Sequence, residues 1–333
     1  MVSRSLQDHF AQTSDYDLSQ SNQLVRVVVT CANRKAMVPS RDLRLGTYPA
    51  DLRARATQWT RRLEAPKTDP LEARDLYKGE HWSVVKRIAD QASGFGCIAE
   101  VWIVSAGYGL VPISASLESY SATFSPGSND AVARSKSDKR DNQAWWDLLA
   151  SRKHRDLPGP QNLTELALQD TSAPMIVALS KVYLQAVLHD LTGAAMAMGK
   201  KADLLLVSTG TPPDSLEEVQ LPCDARFLTS LGGSRTSLNA RVAEHIIATS
   251  DQHRFDSAKV RGLLQQDLAN SKDILRYDRH KQTDSEIRSW IQMRPDNNHS
   301  RSSLLRELRD SGLACEQRRF ARLYEEATEA NCR

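Results

Sequence analysis

Leu24-Val25-Arg26-Val27-Val28-Val29-Thr30-Cys31-Ala32-Asn33-Arg34-Lys35 is a β-branched apolar run that ends in a polar, cysteine-bearing loop. Such runs fill a pleated surface packed on both faces, so the stretch reads as a buried strand. Val101-Trp102-Ile103-Val104-Ser105-Ala106-Gly107-Tyr108-Gly109-Leu110 has the same build. Met175-Ile176-Val177-Ala178-Leu179-Ser180 and Leu204-Leu205-Leu206-Val207-Ser208 repeat it. Helical spacing falls between these runs, over 50–63 behind Pro49, 82–92, 142–152 and 181–191. Strand alternating with helix predicts an α/β fold, with a mainly parallel sheet and helices on both faces. Residues 24–250 read as one such domain, with a split into two halves at Pro158-Gly159-Pro160 as the alternative. In open α/β sheets, ligands bind where the carboxyl ends of strands run into loops. The loops after Thr30 and Val104 therefore lead the search for a site.

Outside these runs, residues 1–23 are polar and lack the apolar core of a signal peptide. Residues 37–70 form an arginine-rich excursion, 72–79 a loop or short turn, and 107–129 a long Gly/Ser/Pro-rich connection of the kind that carries function. Beyond 250 the strand signals vanish, and 254–322 hold 15 Lys/Arg against 10 Asp/Glu. Within that basic, helical region (251–333), Ser300–Glu326 reads as helix, turn, helix, broken at Ser311-Gly312, with Arg306, Arg309, Arg318 and Arg319 on exposed faces where they could meet phosphates.

A chain of 333 residues can bury a sizeable core, and 26% charged against 40% hydrophobic residues is ordinary for a globular protein. A net charge of +3 neither demands nor excludes a nucleic-acid partner. No apolar run is long enough for a transmembrane helix. Five widely spaced cysteines without a Cys-x-x-Cys pair argue for reduced thiols in the cytoplasm and against a zinc ribbon. The histidines show no metal-ligand spacing, so no catalytic metal is expected, and no motif of the sequence calls for a cofactor.

Cys31 at a strand end is a candidate nucleophile. A thiol attacks as its thiolate, which nearby cations favour, and Arg34 and Lys35 follow closely. The competing reading is a small buried hydrophobe. Arg74-Asp75-Leu76-Tyr77-Lys78-Gly79 could clamp a base or phosphate, or form a solvated turn with an internal ion pair. Ser105 to Gly109 could bring Tyr108 against a planar ring, although Gly-x-Gly alone is a weak signal. Gly232-Gly233-Ser234-Arg235-Thr236 runs into a helix carrying Arg241, which suits an anion at a helix N-terminus and equally an ordinary helix cap.

Four ordered motifs carry a resemblance. Cys31-x-x-x-Lys35, Ala73-Arg74-Asp75-Leu76-Tyr77-Lys78-Gly79, Val104-Ser105-Ala106-Gly107-Tyr108-Gly109-Leu110-Val111 and Ser119-Tyr120-Ser121-Ala122-Thr123-Phe124 resemble an uncharacterised bacterial domain family. That family is similar to the core domain of archaeosine synthases, relatives of the tRNA-guanine transglycosylases. The resemblance covers about residues 24–125. Gly107 stands where Lys is common and Ser121 where Asp is common, and the 37–70 excursion is longer than usual. With its size, its Gly232–Arg235 loop and its basic tail, the chain also resembles the accessory enzymes of bacterial 7-deazaguanine DNA-modification clusters.

The resemblance implies a nucleic-acid base-modifying enzyme that converts the nitrile of 7-cyano-7-deazaguanine in DNA to an amide. Cys31 would form a thioimidate, Asp75 or Lys35 would move protons, and Tyr108 or Tyr77 would stack on the base. Asn33, Arg74, Ser105, Gly107, Gly109 and Tyr120 would line the substrate site. Gly232, Gly233, Ser234, Arg235, Thr236, Arg241 and the C-terminal arginines would hold phosphates. The alternatives are a nucleotide N-glycosidase or base exchanger using Asp75 or Glu118, and a non-catalytic DNA-binding subunit of a modification or defence system.

Overall fold

The computed structural model describes residues 23–49, 51–65, 68–134, 139–151, 159–199, 204–210, 213–249, 255–273, 278–294 and 300–330. The expected N-terminal tail, and Pro158 of the expected Pro158-Gly159-Pro160 break, lie outside the described residues. The chain divides after Lys272 into two compact units.

The first unit runs β1 (Gln23–Thr30), α1 (Leu52–Leu63), β2 (Leu71–Glu72), α2 (Ala73–Leu76), α3 (Glu80–Gln91), β3 (Cys97–Ser105), β4 (Gly109–Pro112), β5 (Ser116–Leu117), α4 (Lys139–Ala150) and α5 (Leu163–Gln169). It continues through β6 (Met175–Ala178), α6 (Lys181–Ala186), α7 (Leu188–Met198), β7 (Leu204–Val207), α8 (Phe227–Ser230), α9 (Leu238–Thr249) and α10 (Ser257–Asn270). The expected α/β fold is present as a five-stranded mixed sheet in the order β4-β3-β1-β6-β7. Strands β3, β1, β6 and β7 are parallel, and β4 is the antiparallel edge. Every residue of β6 and β7 is buried, as the continuous apolar runs require.

Register places the site. Val29 pairs with Ile103 and Ala178, and Ala178 pairs with Val207. The chain therefore leaves β1, β6 and β7 at one level on one edge of the sheet. After β1 it builds β3 on one side, and β6 then goes to the other side of β1. Direction reverses between β1 and β6, the crevice where open α/β sheets take ligands.

Two differences from the sequence reading have clear causes. The 107–129 stretch is not a plain loop, because Gly109, at a φ of +78°, turns the chain back as β4 along β3. Ser105 Oγ accepts the backbone N–H groups of Gly107 (3.2 Å) and Tyr108 (3.0 Å) and so shapes that turn. The domain boundary lies at 272 rather than 250, because α10 buries Val260, Leu264 and Leu268 in the core of the first unit.

The excursion is built into the fold. Asp51 caps α1 by accepting the Ala54 N–H at 2.7 Å. Arg55, Ala56, Trp59, Thr60 and Leu63 then form its buried face. Trp59 and Trp145 of α4 donate their indole N–H groups to the carbonyls of Gly107 (2.7 Å) and Ala106 (2.8 Å) and lock the turn after β3.

The second unit contains β8 (His280–Lys281), α11 (Asp284–Gln292), α12 (Arg301–Asp310), β9 (Leu313–Ala314) and α13 (Gln317–Ala330). The expected helix, turn, helix is present as α12 and α13 around Ser311-Gly312. The sequence reading missed the short β9, which pairs in parallel with β8. Ile287, Leu304, Leu308, Phe320 and Leu323 form a separate small core. Among the described residues of the chain no helix is long and apolar enough to cross a membrane.

Candidate functional site

A cleft of about 440 Å³ opens at the ends of β1, β6 and β7. Its walls come from Thr30–Arg34 after β1, Ser180 and Tyr183 after β6, Thr209 after β7, Lys78–His81 at the start of α3, and Arg235, Thr236 and Asn239 at the start of α9. It lies within the size range of small-molecule sites.

Cys31 belongs to this cleft and is only 8% exposed. Its Sγ and the Tyr183 hydroxyl share a hydrogen bond at 3.3 Å, and Thr123 Oγ1 lies 3.5 Å from the same hydroxyl. Lys35 is half-buried. Its Nζ donates to the carbonyls of Ala32 (3.3 Å) and Asn33 (3.4 Å) and sits 4.1 Å above the centre of the Tyr120 ring. Burial holds its ammonium below the ordinary lysine value, while the charges of a Cys31 thiolate and of Asp130 work in the opposite direction.

Beneath Lys35 the hydroxyls form a chain: Tyr77 to Tyr120 at 2.8 Å, and Tyr120 to Ser105 at 2.7 Å. Burial, with Cys31 adding in the same direction, pushes Tyr77, Tyr120 and Tyr183 well above the ordinary phenol value, so they stay protonated. This layer corrects the expectation of stacking tyrosines. Tyr77 is fully buried. Tyr108, only 2% exposed, packs edge-on against Tyr120, and its hydroxyl accepts the Glu118 N–H at 3.1 Å. Neither ring has a face open to a base. Ser105, Gly107, Gly109 and Tyr120 likewise support the site from below. A Cβ at Gly107 would overlap the Tyr120 ring, so the Lys common there in the resembled family does not fit this packing.

Asp75 and Arg74 do not reach the cleft. Asp75 is exposed and pairs with Lys86 at 2.9 Å, and Arg74 pairs with Asp90 at 2.7 Å. The one-turn α2 points both side chains outward while burying Ala73 and Leu76. Glu118 is held by Arg62 (2.9 Å) and by the Thr68 N–H (3.0 Å).

The Gly232–Thr236 loop has the expected anion-binding geometry, but the anion is part of the protein. Glu80 Oε1 accepts from the Ser234 N–H (3.0 Å), Ser237 Oγ (2.8 Å) and Arg241 Nη2 (3.1 Å). These donors hold its carboxyl well below the ordinary value, at about 2. A Cβ at Gly233 would run into Arg241 and Glu80. Gly232, Gly233, Ser234 and Arg241 therefore close a helix junction and leave no room for a phosphate. Arg235 and Thr236 turn the other way, into the cleft. In the second unit, Arg309 donates to the Cys315 carbonyl (3.1 Å) and Arg319 to Asp284 (2.7 Å), while Arg306 and Arg318 are exposed without a side-chain partner among the described residues.

His81 was not anticipated. Its Nε2–H donates to the Thr30 carbonyl at 2.9 Å, and its Nδ1 is buried with no partner among the described residues. Burial holds the ring below the ordinary histidine value. Tyr183 and Ser180 were also missed, although the strand-end rule that selected Cys31 applies equally to the loop after β6. Among the described residues no group of three or more His, Cys, Asp or Glu is placed to hold a metal ion. Compared with protein-family models, curated proteins and solved structures, the chain matches none.

Proposed function

We propose that the chain is a thiol-dependent base-modifying enzyme of 7-deazaguanine chemistry, which hydrates the nitrile of 7-cyano-7-deazaguanine in DNA to the amide. One observation carries the reading: Cys31 lines an open cleft at the strand ends, with the Tyr183 hydroxyl 3.3 Å from its sulfur. The reading also draws on the four-motif resemblance. A base inside a duplex cannot present its nitrile to such a cleft, so it enters flipped out of the stack.

The chemistry balances with groups of this chain. The Cys31 thiol gives up its proton, and Sγ bonds to the nitrile carbon as one C–N π bond breaks. The nitrogen takes a proton, and the product is a thioimidate. Water adds to the same carbon with one proton passing to nitrogen. The S–C bond then breaks, sulfur recovers its electron pair and a proton, and the amide leaves. Tyr183, which stays protonated, is placed to hydrogen-bond sulfur through these steps and to pass a proton only as it receives one, from its contact at 3.3 Å. Asp75 takes no part.

The glycosidase alternative loses its carboxylates, since Asp75 faces away and Glu118 is bound by Arg62. A DNA-binding role for the second unit, through Arg306 and Arg318, is compatible with either a catalytic or a non-catalytic chain. The deciding experiment is nucleoside mass spectrometry of DNA containing 7-cyano-7-deazaguanine after incubation with the full chain. A gain of one water on the modified base, absent with Cys31→Ala, is the expected result. An unchanged base, or the same gain with Cys31→Ala, overturns the reading.

A further inference from the structure

The loop after β1 carries a second feature just beyond the cleft. Met37 and Val38 are 40% and 82% exposed, and Val38 is the most exposed large apolar side chain among the described residues. Their backbone is tied down on both sides. Arg34–Ala36 runs antiparallel to Leu76–Lys78, with the Lys78 N–H on the Arg34 carbonyl (2.9 Å) and the Ala36 N–H on the Leu76 carbonyl (2.7 Å). Ser119 Oγ donates to the Met37 carbonyl at 2.6 Å, and Arg44 Nε to the Pro39 carbonyl at 3.2 Å. Pro39 fixes its own φ and biases Val38 towards extended backbone. The fold thus holds two apolar side chains out in water on a tethered tip, which forgoes the gain of burying them.

The setting of the tip is cationic. Arg34, Arg41 and Arg44 are exposed, none has an ion pair among the described residues, and Arg44 engages only its Nε. Asp42, the one carboxylate between Asn33 and Arg44, is held by Arg62. Arg34 lines the cleft, so the reach of the chain puts Val38 at most about 14 Å from it. An apolar tip framed by arginines fits a polyanion with apolar layers inside, which describes a stacked nucleic-acid duplex. Two side chains offer too little apolar surface to anchor a chain in a membrane.

We propose that Met37 and Val38 form an apolar wedge that enters the base stack of duplex DNA beside the flipped nucleotide, with Arg34, Arg41 and Arg44 against the flanking phosphates. The inference rests on the reading above for its DNA partner. A wedge holds an unstacked step open, whereas a single strand has no pair to break. The tip therefore matters for duplex substrate and not for single-stranded substrate.

The full chain is mixed with a duplex in which 2-aminopurine, a base that fluoresces when unstacked, neighbours 7-cyano-7-deazaguanine. The wild-type chain raises the fluorescence severalfold on binding. The double variant Met37→Ser, Val38→Ser binds the duplex within about threefold by anisotropy but loses most of that rise. Circular dichroism shows its fold kept, since both side chains are exposed. Its nitrile hydration falls about tenfold or more on the duplex, stays within about twofold on the single strand, and recovers when the target faces an abasic site. Full unstacking by the double variant, equal losses on duplex and single strand, or a wild-type chain that does not bind or unstack the duplex overturns the wedge. Undiminished unstacking with lost binding to anionic vesicles assigns the tip to a membrane and overturns it too. Unstacking that depends on the tip, without hydration of either substrate, keeps the wedge and loses the proposed function. Hydration of both substrates regardless of the tip does the reverse.

Discussion

Two loops of this protein look alike as ligand sites and behave differently. The loop after β1 leaves part of its chemistry open to the cleft: Cys31 lines it with the Tyr183 hydroxyl against its sulfur, and Arg34 has no ion pair among the described residues. The loop before α9 has glycines, hydroxyls and an arginine in anion-binding geometry, yet Glu80 already fills it. Geometry that recognises an anion is thus half of a site. The other half is that no group of the protein satisfies it first.

The largest way to break this comparison is Cys31→Ala. If the loop after β1 is the working one, nitrile hydration falls by on the order of a thousandfold or more, while the fold is kept. Circular dichroism alongside the nucleoside assay checks both. Lys35→Met keeps most of the packing over Tyr120 but removes a charge that interacts electrostatically with Cys31. It is expected to cost roughly a hundredfold in rate, read from single-turnover kinetics.

Gly107→Ala tests the layer beneath the site. The added Cβ meets the Tyr120 ring, and overpacking of this kind costs about 1–3 kcal/mol, read from chemical denaturation. The loop before α9 gives a smaller, pH-dependent effect. The Glu80 carboxyl titrates lower in the folded chain (about 2) than its ordinary 4.5, so its contribution is present above the unfolded value and is lost as pH falls through that window. Glu80→Gln is expected to flatten the acid branch of a stability–pH curve between about 4.5 and about 2. Asp75→Asn is the smallest: activity stays within about twofold, because an exposed ion pair with Lys86 contributes little.

The parallel strands were legible because their signal is local: β-branched runs bounded by polar residues need no partner to be recognised. Cys31 was legible for the same reason, standing where such a run ends. Strand β4 was not, because Gly109–Pro112 is short and glycine-led, and only its pairing with β3 makes it a strand. Glu80 filling the Gly232–Ser234 turn was invisible, since the partners lie 154 residues apart. Tyr77 and Tyr108 carried the right chemistry in the sequence, but burial settles whether a ring supports a site or faces it. His81 had no pattern to announce it, since its partner, the Thr30 carbonyl, lies 51 residues away.

The central claim is that Cys31 bonds to the nitrile carbon. The most direct measurement is the intact mass of the full chain, quenched in acid at successive times after mixing with an oligonucleotide that contains 7-cyano-7-deazaguanine. The account predicts a transient covalent adduct mapping to Cys31, which decays as the amide appears and is missing in Cys31→Ala. Amide formation at the wild-type rate by Cys31→Ala would contradict it.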